Sequence, residues 1–95
     1  MASIGVLTVE LRLESSHSLK DKRQVVRSLK DRLRKKFNVA VSEIECQEMW
    51  QRAVLAAVTV SPDRDHAEKV LQAVDEEAFA SLGEALVSST LEWLA

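Results

Sequence analysis

Residues Ile4–Leu13 read IGVLTVELRL, and after the polar break ESSH the chain continues from Ser18 to Asn38 as SLKDKRQVVRSLKDRLRKKFN. In the first segment Leu7, Val9, Leu11 and Leu13 alternate with Thr8, Glu10 and Arg12, the period of two that marks a half-buried strand. In the second, Leu19, Val25, Val26, Leu29, Leu33 and Phe37 recur at helical spacing and line one face. Ser18, with Asp21 three residues on, opens that helix in the manner of a capping box, and Asn38 closes it.

Working outward, Val39–Cys46 (VAVSEIEC) is β-branched at Val39, Val41 and Ile44. Its alternation slips between Val41 and Ile44, which predicts a bulge or twist in a second strand. Gln47–Gln51 connects it to Arg52–Val60 (RAVLAAVTV), a short apolar run suited to a central strand. Ser61-Pro62-Asp63 then predicts a second helix with Ser61 as N-cap and Pro62 in its first turn. Ala67, Val70, Leu71, Val74 and Ala78 form the buried stripe of that helix, which ends near Ser81–Gly83. A last strand follows at Leu86–Leu94 (LVSSTLEWL). The order β-α-β-β-α-β predicts an α+β, ferredoxin-like sandwich in one domain over residues 1–95: a four-stranded antiparallel sheet with both helices on one face. The other sheet face is left without a cover, its residues mixed rather than uniformly polar, which leaves room for a partner.

The chain has 95 residues, 46% of them hydrophobic and 29% charged, with two glycines and one proline, a globular composition. A domain of this size hides only about two-thirds of its chain surface, so a partner subunit would help, and a homodimer is expected. The single Cys46 forms no internal disulfide, and with His17 and His66 falls short of a closed zinc site, so neither metal nor cofactor is expected. No apolar run approaches the roughly 18 residues of a membrane helix, and the start lacks the features of a signal peptide. The expectation is a cytoplasmic protein with no membrane partner.

Charge is segregated. Lys20–Lys36 holds nine basic residues against Asp21 and Asp31, a local charge of +7, inside a chain of net charge −2. Lys20, Arg23, Arg27, Lys30 and Arg34 gather along one flank of the first helix, beside its apolar stripe. With Lys22 they form the candidate nucleic-acid or anion-binding set, because a row of cations can follow phosphates and release their counterions. The alternative is a solvated face paired with acids elsewhere. The helix start adds free N–H groups and the Ser16 and Ser18 hydroxyls, which fit either a small anion site or an ordinary capped helix.

Trp50, with Gln51 and Arg52, is the candidate interface, since tryptophan on a polar turn often anchors a partner; the alternative is an indole folded over its own sheet edge. His17 and His66 lack a paired acid and nucleophile, and Cys46 reads as a small buried hydrophobe. The two central strands carry no aromatic, so base stacking of the kind used by RNA recognition motifs is not expected there. The loop Glu14–His17 has no glycine or arginine to grip an acyl phosphate. With no acid–base pair, metal set or glycine-rich phosphate loop, the chain reads as a non-enzymatic module.

Ile4-Gly5-Val6-Leu7, Ser18-Leu19-Lys20-Asp21-Lys22-Arg23 with Val25-Val26 and Leu29, Phe37-Asn38-Val39 and Trp50-Gln51-Arg52-Ala53 together resemble the YlxP-like family of small uncharacterised bacterial proteins. The resemblance spans nearly the whole chain and implies a ferredoxin-like fold. Genes of that family often lie near those for translation initiation and ribosome maturation, which implies a translation-associated role and, as partner, ribosomal or other structured RNA. Leu86–Leu94 matches the family pattern loosely and leaves the register of the last strand open. The other reading of function is a structural or protein-interaction homodimer in which the basic stripe meets an acidic protein surface.

Overall fold

A computed structural model describes residues Met1–Ala95. In chain order the elements are β1 (Ser3–Arg12), α1 (Leu19–Lys36), β2 (Ala40–Glu45), β3 (Arg52–Ser61), α2 (Arg64–Leu82), one 3-10 turn (Gly83–Ala85) and β4 (Leu86–Trp93). The strands lie in the order β2-β3-β1-β4, each antiparallel to its neighbour. This is the ferredoxin-like arrangement expected from the alternation of strand and helix patterns.

The core forms where the two periods meet. Leu7, Val9 and Leu11 of β1 and Ala53, Leu55 and Ala57 of β3 pack with Val26, Leu29 and Leu33 of α1 and Leu71, Val74 and Ala78 of α2. Each fully buried leucine, such as Leu55 or Leu71, contributes about 2 kcal/mol by leaving water. Gly5 continues the inward row of β1 at the point where α2 comes closest. A Cβ there would stand 2.7 Å from Leu71 Cδ1 and 3.0 Å from Trp93 Cζ3, so only a residue without a side chain fits.

Local chemistry sets the element ends. Ser18 Oγ accepts from the Asp21 N–H at 3.1 Å, while the Asp21 carboxylate accepts from the His17 N–H at 3.0 Å, closing the start of α1 from both sides. The start of α2 differs from expectation. Ser61 still belongs to β3, paired with Ser3, and its hydroxyl accepts from the Asp63 N–H. Asp63 is the N-cap, accepting from the Asp65 N–H, and the helix begins beyond Pro62. The expected slip in β2 falls between Glu43 and Glu45: Glu43 pairs with Leu55 and Glu45 with Val54, leaving Ile44 as the extra residue. The register of β4, open from the sequence, runs from Gly5↔Trp93 to Leu11↔Leu86, with a second irregularity beside Glu10.

Val6, Thr8 and Glu10 of β1 and Val54, Ala56, Val58 and Val60 of β3 alternate with the core residues and so lie on the sheet face away from the helices. No element of the chain covers that face. On the helical side, Glu77 of α2 ties the two helices together by accepting from Lys36 Nζ at 2.8 Å and, more weakly, from Arg32 Nη1 at 3.5 Å. The Lys36 hydrogen bond holds the Glu77 carboxyl below its ordinary value, against partial desolvation and with further help from Arg32.

Two outcomes follow from these contacts. Gly5→Ala should lower the free energy of unfolding by about 1–3 kcal/mol in urea titrations, because its Cβ overpacks against Leu71 and Trp93. Glu77 binds its proton less tightly folded than unfolded. Its contribution is therefore full above the ordinary carboxylate value and is lost as pH falls through the depressed native one. Glu77→Gln should flatten the acid limb of a stability-against-pH profile in that range.

Candidate functional site

The first residue of interest is one the sequence places wrongly. Lys22, expected among the anion-binding cations, is fully buried. It shares the inward face of α1 with Val26, Leu29 and Leu33, one turn before Val26. Its Nζ donates to Glu43 Oε2 at 2.9 Å and to the carbonyls of Cys46 at 2.6 Å, Gln47 at 3.1 Å and Arg52 at 3.2 Å. Three N–H groups are thus shared among four oxygens, one of them charged. Lys22 has no proton left for an outside anion and leaves the candidate set. The sequence held a signal: position 22 is in phase with the apolar stripe, and a cation in that phase must find acceptors inside.

Those acceptors belong to the β2–β3 connection. Cys46 adopts a left-handed conformation, φ 66°, and is half-buried rather than the buried strand residue expected. Its carbonyl serves both Lys22 and the Met49 N–H, so one strained residue organises the turn. Gln51 fastens the other end. Its side-chain amide donates to the carbonyls of Glu14 and Ser16, each at 3.2 Å, and its own carbonyl accepts from the Leu13 N–H at 2.8 Å.

The expected interface cluster therefore divides. Gln51 is committed to the β1–α1 loop. Arg52 donates through Nη2 to Glu10 Oε2 at 2.7 Å on the open sheet face, and that bond and charge raise its pKa further. Its Nε is buried without a partner. Trp50 alone points outward, 53% exposed, with Met49 and Ile44 also exposed near the same connection.

On α1 the remaining cations separate by flank. Arg32 and Lys36 face α2 and pair with Glu77. On the flank turned away from α2, Arg34 is partly engaged, donating through Nη2 to the Val41 carbonyl at 2.8 Å and lying 4.0 Å from Asp31. Lys20, Arg23 and Arg27 are exposed, Lys30 is half-buried, and none of the four is in an ion pair. They occupy about 15 Å of helix at 1.5 Å per residue. The small-anion reading of the helix start fares otherwise, since Ser16 is buried and the Asp21 carboxylate already sits at that terminus.

The largest surface cavity, about 770 Å³, lies on the opposite side of α1, among Leu13, Val25, Leu82 and Leu86. No three His, Cys, Asp or Glu side chains converge to hold a metal ion. No helix is long and apolar enough to cross a membrane.

Lys22→Ala should destabilise the fold by about 3 kcal/mol, because it leaves Glu43 and three carbonyls without their donor. Adding Glu43→Gln should restore only part of that loss, since the Cys46, Gln47 and Arg52 carbonyls still lack the Lys22 hydrogen bonds. Urea denaturation of the single and double variants measures both quantities.

Against known proteins, residues 4–92 match the family described as "Protein of unknown function (DUF503)". The chain is 41% identical over 71 residues to the uncharacterized protein YlxP of Bacillus subtilis (strain 168), covering 75% of this chain and 77% of that protein. Among solved structures it is similar in fold to the de novo designed protein Foldit4, with TM-score 0.61, 10% identity, and coverage of 100% of this chain and 98% of that one. It is also similar to a dimeric ferredoxin-like protein of unknown function from Thermobifida fusca, with TM-score 0.51, 16% identity, and coverage of 97% and 91%. Identities this low speak for the fold alone. The match across residues 4–92 and the likeness to YlxP place the chain in the DUF503 family.

Proposed function

We propose that this chain is a non-enzymatic binding module of the cytoplasm that contacts ribosomal or other structured RNA through the outer flank of α1. The observation that carries the reading is the row Lys20, Arg23, Arg27 and Lys30, which no acid of the chain neutralises. Cations already paired within a protein gain little from a new anion, whereas unpaired ones release counterions from a polyphosphate. A row along one helix flank also suits a backbone track better than a single small anion. The translation-associated context implied by the family resemblance points the same way. An acidic protein surface would satisfy the same charges, and the test separates the two.

Binding of the purified protein to a structured ribosomal RNA fragment should weaken steeply with salt. Four neutralised phosphates correspond to a log–log slope of about −3 to −4, or about a hundredfold loss between about 50 and 200 mM salt. Arg23→Glu with Arg27→Glu should abolish binding and leave the circular dichroism unchanged, since both side chains are exposed and unpaired. Arg34 is a poorer choice for this purpose because it also holds the Val41 carbonyl. Equal affinity in the double variant, or binding indifferent to salt, would overturn the reading. No RNA binding, with retention on an acidic protein lost in the same variant, would replace RNA by a protein partner.

A further inference from the structure

We propose that a second copy of this chain covers the open face of the sheet, sheet against sheet, about a twofold axis. The proposal stands apart from the RNA reading. The central strands present there Val6, Thr8, Ala56 and Val58, each half-buried, and Val60, 54% exposed in the single chain, while Val54 on the same face is already buried. At one end of the face Glu10 and Arg52 already neutralise each other at 2.7 Å, with Arg12 and, opposite Val54, Glu45 beside them. At the other, Glu92 lies on β4 opposite Val6. The middle of the face carries no charge.

Three considerations select the occupant. The four main cavities, of about 770, 300, 340 and 150 Å³, are lined by none of Val6, Val54, Val58 and Val60, so the face offers a partner surface rather than a main cleft. Its shape is that of an open sheet, and an apolar sheet surface packs best on another at about 10 Å. Finally, the area suffices. Four strands about 4.8 Å apart, each about eight residues long at about 3.4 Å per residue, span about 500 Å² in projection. Two such corrugated faces bury more than about 1,000 Å² in all, the level a specific interface needs. A twofold contact uses the same patch on both partners, so the chain supplies its own complement. Both α1 flanks remain outside in such a pair, because the helices occupy the other face of each sheet.

Sedimentation equilibrium of the RNA-free protein, at low and high salt, tests this. The expected result is twice the chain mass at both salt concentrations and the mass of one chain for Val58→Lys, with unchanged circular dichroism. Should Val58→Lys fail to fold, Val60→Lys gives the same reading at a position already exposed in the single chain. A wild-type protein of single-chain mass would overturn the proposal. So would a dimer that dissolves in salt, since charged helices would then form the contact, or one that survives both substitutions, which would place the contact at an edge strand or at Trp50. RNA takes no part in the measurement, so its outcome and that of the salt-dependence experiment fail independently.

Discussion

The ammonium group of Lys22 has no contact with water, and the region joining the two halves of the fold is arranged around it. A buried cation is tolerated only when its protons are taken up. Here the takers come from β2, from Cys46 and Gln47 at the start of the β2–β3 connection and from the first residue of β3. One side chain of α1 thus pins the β2–β3 connection to the start of β3. Cys46 keeps its left-handed backbone because its carbonyl is needed at that place. Gln51, bonded back to Glu14 and Ser16, closes the same corner from the side of β1.

That arrangement changes what the basic helix offers. Nine cations in the sequence of α1 become three groups in space. Lys22 is internal, Arg32 and Lys36 serve Glu77 at the helix–helix contact, and Lys20, Arg23, Arg27 and Lys30 stay unpaired on the outer flank; of the remaining two, Arg34 holds the Val41 carbonyl beside that flank and Lys35 is exposed away from it. Charge counted along the chain therefore overstates the surface available to a partner, and the flank is narrower and better defined than the run of residues that encodes it.

Much of the fold was legible because its elements have clean periods. The alternation in Ile4–Leu13 and the stripe from Leu19 to Phe37 each satisfy one geometry only, and the Gln47–Gln51 interruption falls where the hairpin turns. The departures share a cause, which is that position in the fold decides where composition alone points elsewhere. Ser61 has the chemistry of an N-cap, but sheet pairing with Ser3 holds it in β3 and passes the role to Asp63. Lys22 belongs with the other cations by type, but its phase in the helix puts it inward. Trp50, Gln51 and Arg52 are adjacent in sequence and diverge in space, because one faces solvent, one the β1–α1 loop and one the open sheet face. Hydrogen bonds between distant backbone carbonyls and a side chain leave no trace in local patterning, so the Lys22 cluster could be suspected from phase but not assembled.

The helical layer sets α1 beside α2, whose Arg64 and Lys69 stand against Asp65, Glu68, Asp75, Glu76 and Glu77. Two neighbouring rods of opposite sign give the domain a permanent electric dipole lying across that layer. Near any strongly charged body the molecule turns before it touches, so the face that arrives first is set at a distance and not by trial. The same asymmetry decouples behaviour from the isoelectric point of about 5.7. At neutral pH and low ionic strength the domain presents one side to an anion exchanger and the other to a cation exchanger, and net charge describes neither encounter.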